Sequence, residues 1–506
     1  IYKAIDAWYV EVTAIKDRMV ELNQTIDWIP GHVKDGLFGN WLENARDWNI
    51  SRNRFWGCPI PIWMSDDPDY PRIDVYGSLD EIAADFGRRP DDLHRPHIDE
   101  FVRPNPDDPS GKAMMRRVPE VLDVWFDSGS MPFAQLHYPF ENKEKFEKNF
   151  PADFIVEYMA QTRGWFYTLM VLSTALFDKA PFQNCICHGV VLGDDKQKLS
   201  KRLKNYPDPN KVLAEHGSDA LRVYMLSSSL LAGGDLIIHS DARGIQEALR
   251  KTILPLWNAS YFFTLYANAD GYKAQLRTDS RNEHDRYILA KTREFVETLT
   301  ERLEANDIPG AYGLVSPFLD VSNNWHIRRN RARFWGAEVT DDKRDAFDTL
   351  YTVLVTLVKA LAPLMPFVTE AIYRNLTGET SVHLADWPDV SAFPQEAELI
   401  RDMDLARDIC GAGLSIRVRQ QQRLRQPLKK LTIAHPEVDR LRPFEGTIAD
   451  ELNVKAVGFD TDPAAVGELV LKVVAALSKA PEGDEAVEAE VRAEVEALCD
   501  AFPVYG

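Results

Sequence analysis

Two lysines that flank a serine are the residues of this sequence with the clearest chemical use. Residues 198–202 read KLSKR. Ammonium groups on a loop can neutralise the charge that builds on phosphate oxygens, so this motif suits a site that holds a leaving pyrophosphate. A KxSK pattern has little weight alone, because lysine and serine are common in solvated loops. Its surroundings must therefore decide between a phosphate site and an ordinary surface loop.

The segments on both sides predict that a strand and a turn position this motif. Residues 185–192 read CICHGVVL, an apolar run of strand length. A polar turn at 193–197 leads into the lysines, and the sequence NYPDP at 205–209 cannot continue a helix because it contains two prolines. The pattern therefore predicts a surface loop that carries both lysines.

Two further blocks give the lysine motif its context. Residues 49–61 read NISRNRFWGCPIP, and residues 157–166 read EYMAQTRGWF. Together the three blocks resemble the isoleucine–tRNA ligase family of class I aminoacyl-tRNA synthetases. The KLSKR motif is similar to the KMSKR form of the class's KMSKS signature, with Leu199 in place of methionine. The resemblance extends from Ile1 to about residue 457.

The resemblance implies a reaction and assigns residues to it. Members of the family let the carboxylate of an amino acid attack the α-phosphate of ATP, which enters with Mg²⁺, and then pass the aminoacyl group to tRNA. It implies Lys198 and Lys201 as catalytic cations, and Lys201, Ser200, Glu157 and Gln161 as contacts of ATP or the adenylate. The implied partners are L-isoleucine, ATP and tRNA(Ile).

Two tryptophans match the family's pocket for the isoleucine side chain, namely Trp56 and Trp165. Either could instead be a core tryptophan, which is the commoner fate of this residue. The sequence departs from its relatives at Tyr158 and Ala160, where glycine and aspartate are frequent. The block DVWFDSGS at 123–130 also matches the family, and its acids are also suited to cap a helix.

The bulk properties describe a globular protein without general affinity for nucleic acid. The chain has 506 residues, a net charge of −19, and hydrophobic and charged fractions of 45% and 27%. Five cysteines are scattered and odd in number, which favours a reducing cytoplasm. We expect no membrane span, no metal site and no zinc ligand cluster in this chain, although zinc occurs in the family. The resemblance implies a monomer at full length.

Local clusters of basic residues qualify this expectation. A protein with a negative net charge can still bind a polyanion of matching shape where its cations are close together. By resemblance, Trp325, Arg328, Arg329, Arg331 and Arg333 lie on the family's anticodon-binding bundle and contact tRNA. A second basic region contains Arg417, Arg419, Arg423, Arg425, Lys429 and Lys430.

The expected fold is α/β, with a partial Rossmann-type parallel sheet, followed by an all-α anticodon-binding helix bundle and a small α+β region. Residues 1–47 are expected to end an editing-domain insertion and return to the catalytic fold. Residues 48–243 are expected to form the second half of the catalytic domain, with an inserted subdomain at 65–117. The helix bundle is predicted at 244–426 and the C-terminal region at 427–506.

The second signature of class I synthetases, HIGH, does not occur in the sequence. The family's order of motifs therefore predicts that the chain is a C-terminal portion that lacks the HIGH motif and the editing domain. Two alternatives stay open at this point. One is a tRNA-binding module without catalysis, which the lysine motif opposes. The other is a valyl or leucyl ligase, which the NYPDP and QTRGW sequences oppose.

Overall fold

The structure, a computed structural model, describes residues 6–461. Two compact units divide the chain. One comprises the residues up to Leu249 together with Arg302–Gly313, and the other comprises Arg250–Glu301 together with the residues from Leu314 onward. Residues 1–5 and the part of the predicted C-terminal region after 461 lie outside the described residues. Domain boundaries finer than these two units stay predictions.

The first unit mixes short strands with helices. Its strands are β1 (Tyr9–Val10), β2 (Asp27–Ile29), β3 (Trp48–Asn49), β4 (Ser51–Arg52), β5 (Ile62–Ser65), β6 (Ile73–Val75), β7 (Arg103–Pro104), β8 (Met114–Arg117), β9 (Val121–Leu122), β10 (Ala152–Tyr158), β11 (Phe182–His188), β12 (Val191–Leu192) and β13 (Leu236–Ile237). Its helices are α1 (Lys16–Asn23), α2 (Asn40–Glu43), α3 (Leu79–Phe86), α4 (Val124–Gly129), α5 (Met131–Ala134), α6 (Lys143–Asn149), α7 (Trp165–Phe177), α8 (Pro209–His216), α9 (Ser218–Leu226) and α10 (Arg243–Ala248).

A parallel sheet with the order β10-β11-β2 forms the centre of this unit. Parallel neighbours need a crossover, and α7 supplies it between β10 and β11. The helix reads WFYTLMVLSTALF, and Phe166, Leu169, Met170 and Val171 are buried in one core with residues of the sheet. The ring of Trp28 on β2 contacts Phe38, Phe166 and Phe182 at centroid distances of 4.9, 5.8 and 5.7 Å. The predicted parallel α/β fold is confirmed.

The segment between β4 and β9 folds around a core of its own. Its four strands form an antiparallel sheet with the order β6-β5-β8-β7. Trp63, Tyr76, Ile82, Phe101 and Met115 are buried together beneath it. The predicted inserted subdomain, residues 65–117, makes up most of this segment.

Helices dominate the chain after α10. They are α11 (Leu254–Asp270), α12 (Glu283–Glu304), α13 (Ile308–Asp320), α14 (Arg328–Trp335), α15 (Asp341–Leu361), α16 (Pro366–Thr377), α17 (Ala397–Arg419) and α18 (Glu445–Leu452). Phe263, Phe334, Phe347, Leu350 and Leu354 meet in one core, since α15 carries apolar residues at helical spacing. The predicted helix bundle is confirmed.

A small parallel pair, β14 (Leu431–Ala434) and β15 (Val457–Asp460), follows the bundle and has α18 between its strands. Among the described residues, no helix combines the length and the apolar character that a membrane span requires.

Candidate functional site

The carboxyl ends of β10 and β11 lie side by side, because Glu157 pairs with Cys187 and Tyr158 with His188. Segments that leave the carboxyl ends of neighbouring parallel strands form the usual ligand edge of an open α/β sheet. After β10 the chain makes the 3₁₀ turn Met159–Arg163, and after β11 it enters β12. The EYMAQTRGW block and the KLSKR motif therefore follow neighbouring strands at one edge of the sheet.

The lysine loop, residues 193–205, begins as a hairpin. Leu192 and Lys198 form an antiparallel bridge, and the N–H of Gly193 donates to the carbonyl of Gln197 at 2.9 Å. This hairpin continues from β12, so the position of β12 determines where the lysines begin. The predicted order of strand, turn and loop agrees with these contacts.

Lys198 links the lysine loop to the end of β10. Its Nζ lies 4.9 Å from the ring centroid of Tyr158, within cation–π range. Lys198 and Lys201 are both exposed. Within residues 6–461, neither ammonium group has a carboxylate at ion-pair distance. The two lysines therefore keep their charge available next to the strand that carries Glu157.

Asn205 holds the lysine loop from within. Its Oδ1 accepts from the N–H of Ser200 at 3.0 Å, and its Nδ2 donates to the carboxylate of Asp195 at 3.0 Å. A Cβ at position 193 would collide with the Asn205 carbonyl oxygen, so Gly193 permits this close approach. The sequence pattern identified Asn205 only as part of a segment that cannot continue a helix. The missed signal is that asparagine beside a turn often bonds nearby backbone.

Glu157 and Gln161 occupy the predicted edge in different ways. Glu157 is half-buried, and its Oε2 accepts from the N–H of Tyr158 at 3.2 Å. The Oε1 of Gln161 accepts from the N–H of Trp165 at 2.9 Å, which satisfies a free donor at the start of α7. The amide nitrogen of Gln161 is the group left to donate to a ligand. Their contact with an adenylate stays a prediction.

Trp165 connects its block to the one at 123–130. Its Nε1 donates to the carbonyl of Ser128 at 3.0 Å. Asp123 caps α4 by accepting from the N–H of Trp125 at 3.3 Å, as expected for an aspartate that precedes a helix. The buried Asp123 carboxylate also pairs with Arg52 at 2.6 Å. These contacts bring three separate sequence blocks together, and the pairing of Asp123 with Arg52 was not predicted.

Trp56 and Trp165 have different neighbours, and no described contact joins them into one pocket. The Trp56 side chain is 64% exposed, and its ring stacks on His94 at 4.6 Å with an interplanar angle of 1°. It lines a cavity of about 720 Å³ together with Cys58 and Asp127. Burial raises the pKa of both the Cys58 thiol and the Asp127 carboxyl. A thiol held neutral is a poor nucleophile, so this cavity is unsuited to thiolate chemistry.

The arginines predicted to contact tRNA mostly have carboxylate partners inside the chain. Arg328 and Arg329 both bind Glu451, whose side chain is 4% exposed; the Arg329 contact measures 3.1 Å. Arg333 binds the fully buried Asp285 at 2.7 Å. These arginines are close together in the sequence, whereas the acids that pair with them are distant in sequence. The prediction that all of them are free to meet phosphate does not fit these pairings.

Trp325 is also unsuited to its predicted role. Its side chain is 4% exposed and lies beneath the guanidinium groups of Arg329 and Arg407, so no ring face is open to a base. Arg331 differs, because it is exposed and forms no ion pair within the described part of the chain. It lines a polar cavity of about 520 Å³ together with Asn258 and Asn324.

The second basic region contains a structural arginine as well. Arg417 is buried and donates to the carbonyls of Leu452, Arg423 and Gln426 at 3.2, 2.5 and 2.6 Å. This guanidinium fixes the turn after α17 and is not available to a ligand.

Metal ligands do not gather anywhere in residues 6–461. No group of three or more His, Cys, Asp or Glu side chains lies close enough to hold an ion there. Cys185 and Cys187 are buried neighbours on β11, and burial raises the pKa of Cys185 far above its usual range.

Two family descriptions match the chain. Residues 1–236 match "tRNA synthetases class I (I, L, M and V)", and residues 285–433 match "Anticodon-binding domain of tRNA ligase". The first match contains the sheet edge and the lysine loop, and the second contains most of the helix bundle.

Curated relatives are similar over nearly the whole chain. The isoleucine–tRNA ligase of Rickettsia bellii (strain OSU 85-389) is 56% identical over 484 residues, which cover 91% of this chain and 44% of the relative. The isoleucine–tRNA ligase of Nocardia farcinica (strain IFM 10152) is 55% identical over 473 residues, which cover 94% of this chain and 44% of the relative. The chain thus spans less than half the length of these relatives.

Solved structures share the fold at low sequence identity. A methionyl-tRNA synthetase of Mycobacterium tuberculosis bound by methionyl-adenylate has a TM-score of 0.54 at 17% identity, covering 78% of this chain and 68% of that one. A leucyl enzyme, Agrobacterium radiobacter K84 agnB2 LeuRS, in a ternary complex with tRNA and LeuAMS, has a TM-score of 0.52 at 20% identity. That match covers 73% of this chain and 46% of the leucyl enzyme.

Proposed function

The chain belongs to the isoleucine–tRNA ligase family of class I aminoacyl-tRNA synthetases, and from this premise we propose that it serves the formation of isoleucyl-tRNA. The proposed substrates are L-isoleucine, ATP and tRNA(Ile). The names of the similar curated proteins favour isoleucine over valine or leucine.

One contact carries the proposal most directly. Lys198 lies over the ring of Tyr158, so the lysine loop meets the strand end that holds Glu157. A phosphate-binding loop and a carboxylate suited to an ammonium group are thereby neighbours at the ligand edge of the sheet. An adenylate has both a phosphate and an ammonium group, and it therefore suits this edge.

In the proposed activation step, the isoleucine carboxylate attacks the α-phosphorus of ATP, and the bond to the β-phosphate breaks. Isoleucyl-adenylate forms and pyrophosphate leaves. Lys198 and Lys201 would neutralise charge on the departing phosphates, Ser200 and Gln161 would donate to them or to the adenylate, and Glu157 would accept from the amino acid's ammonium group. Most of the catalysis then comes from positioning and electrostatics.

Magnesium enters this proposal with the nucleotide. No cluster of acidic side chains suited to an ion lies within residues 6–461, and Mg²⁺ commonly keeps waters and binds substrate phosphates. We therefore place it on the ATP phosphates.

In the proposed transfer step, a hydroxyl of the terminal tRNA ribose attacks the adenylate carbonyl and AMP leaves. The match of residues 285–433 to an anticodon-binding domain supports tRNA as the partner. A monomer in the cytoplasm is the setting we propose for this reaction.

The test is amino-acid-dependent exchange of pyrophosphate into ATP by the complete gene product that carries this sequence. Isoleucine should support exchange with a higher kcat/KM than valine or leucine does. A pocket of apolar walls distinguishes one methylene only ~10–200-fold, so valine should give a measurable residual rate.

Two outcomes would overturn the proposal. A higher kcat/KM with valine or leucine would reassign the substrate. Binding of tRNA without exchange for any amino acid would favour the binding-module alternative.

A further inference from the structure

The turn of the lysine loop is tied to a second segment of the first unit through Asp194. Its Oδ1 lies 2.6 Å from Nδ1 of His239, and its Oδ2 accepts from the N–H of Ser240 at 2.8 Å. Asp194 is 45 residues away from His239 in sequence, so this contact is tertiary. One carboxylate thus bonds two consecutive residues with its two oxygens.

These bonds extend the short ladder between β12 and β13. The N–H of Leu236 donates to Val190, and the N–H of Ile238 donates to Leu192, at 3.0 and 2.8 Å. Asp194 then continues the ladder with its side chain, one step beyond the last backbone bond. The lysine loop is therefore clamped at the point where it leaves the sheet.

Arg243 on α10 completes the contact. Its Nη2 lies 2.8 Å from Nδ1 and 3.1 Å from Nε2 of His239, so the guanidinium lies against the imidazole ring. An arginine, an imidazole and a carboxylate are therefore in contact at this point. Bonds from Ser240 and His239 hold the pKa of Asp194 well below its usual range, so the carboxylate is charged near neutral pH.

We propose that Asp194, held by His239 and Ser240, is a positioning residue that fixes the lysine loop over the sheet edge for the activation step. This inference rests on the function proposed above. Asp194 is four residues from Lys198 and seven from Lys201, and the hairpin between them transmits its placement. A displacement of ~1 Å at a group that binds a transition state can cost ~10²-fold in rate.

Three variants test the proposal. Two of them remove the contact, and the third preserves it. Asp194→Ala deletes both bonds, and His239→Ala deletes the bond to the imidazole. His239→Asn keeps a donor close to the position of Nδ1. Glu215→Gln is the control, because it removes another exposed carboxylate on the neighbouring helix α8.

The first readout is limited trypsin digestion, with the cleavage sites located by mass spectrometry. Several lysines and an arginine lie between 196 and 204, so release of the loop exposes many sites. Hydrogen bonds to a charged group are strong enough that cleavage there should rise ~10-fold in both alanine variants. His239→Asn and Glu215→Gln should digest like the parent. This readout does not depend on which reaction the protein catalyses.

The second readout is isoleucine-dependent pyrophosphate exchange. The alanine variants should lose ~10-fold in kcat while the KM for isoleucine stays within ~2-fold, and His239→Asn should recover most of the rate. Faster cleavage with unchanged kcat would overturn the positioning role. Unchanged cleavage would overturn the clamp itself. If the parent catalyses no exchange, the proposed function fails, and the digestion alone decides whether Asp194 holds the loop.

Discussion

The lysine loop and the arginine cluster, which comprises Arg328, Arg329, Arg331 and Arg333, have similar sequences but different environments. Both are runs of cations, and by resemblance both were expected to contact phosphates. In the structure Lys198 and Lys201 are exposed and have no carboxylate partner among the described residues. Three of the four arginines instead bind acids inside the second unit.

A cation that already binds a buried carboxylate brings little net charge to a polyanion. Moving it to a ligand would leave the acid buried and unpaired, which costs several kcal/mol. A cation without such a partner loses only water when it meets phosphate. The comparison therefore supports the proposed catalytic role for the lysines and indicates a structural role for Arg328, Arg329 and Arg333.

The largest expected effect comes from removing the acid that two arginines share. Glu451→Gln should lower local stability by about 3–5 kcal/mol, because it leaves Arg328 and Arg329 without their buried partner. Hydrogen exchange measured by mass spectrometry over α14 and α18 reads this loss directly. The exposed Glu445→Gln on the same helix should change protection by less than about 0.5 kcal/mol. Parent-like protection in Glu451→Gln would show that the arginines do not depend on this acid.

Acid should weaken the same region, because the buried His326 and the half-buried His284 lie among the arginines. Burial lowers the pKa of His284 and of His326 to about 4, from an ordinary value of 6.5. The positive charge of Arg333 also lowers the pKa of both histidines, and the negative charge of Asp285 raises it. Between these pKa values the unfolded chain binds protons that the folded chain does not. Stability is therefore complete above about pH 6.5 and is lost as the pH falls towards 4.

The expected loss is about 3 kcal/mol for one such histidine over that pH range. Hydrogen exchange of α12 and α14 at pH 7 and pH 5, corrected for the intrinsic exchange rate, measures the part of this loss that falls above pH 5, about 2 kcal/mol. His326→Gln should reduce the difference between the two pH values. Equal protection at both pH values in the parent would contradict the prediction.

The lysine loop should show its role in catalysis and not in stability. Lys201→Ala should slow isoleucine-dependent pyrophosphate exchange by ~10²-fold, since it removes a cation that stabilises charge in the transition state. Binding of isoleucine and the unfolding midpoint should change little. Lys211→Ala on α8 removes an exposed cation near the loop and serves as the control. An exchange rate within about threefold of the parent would remove Lys201 from the mechanism.

Local sequence patterns predicted the parts of this molecule whose causes are local. The apolar run at 185–192, the polar turn and the prolines at 207 and 209 predicted a strand and a loop, and the structure has β11, β12 and the lysine loop there.

The contacts that the sequence did not predict depend on partners far away in sequence. Glu451 is 122 residues from Arg329, and Asp285 is 48 residues from Arg333. Nothing in the run of arginines indicates which of them will meet an acid. Trp325 was expected to be open to bases for the same reason, although packing buries it. His239 was missed because its partner Asp194 lies across the ladder of β12 and β13.

The smallest expected effect concerns Arg331, the arginine of the cluster that has no carboxylate partner among the described residues. Arg331 is exposed on α14 and lines the polar cavity with Asn258 and Asn324, so we expect it to meet a tRNA phosphate. Arg331→Ala should flatten the plot of log affinity for tRNA(Ile) against log salt by about 0.7–0.9, the value of one lost phosphate contact. Filter binding at several salt concentrations between roughly 50 and 200 mM gives this slope. Arg344→Ala, which removes an exposed arginine that pairs with Asp341, should leave the slope unchanged. If Arg328→Ala flattened the slope as much as Arg331→Ala does, pairing to Glu451 would not prevent contact with tRNA, and the division between free and paired cations would fail.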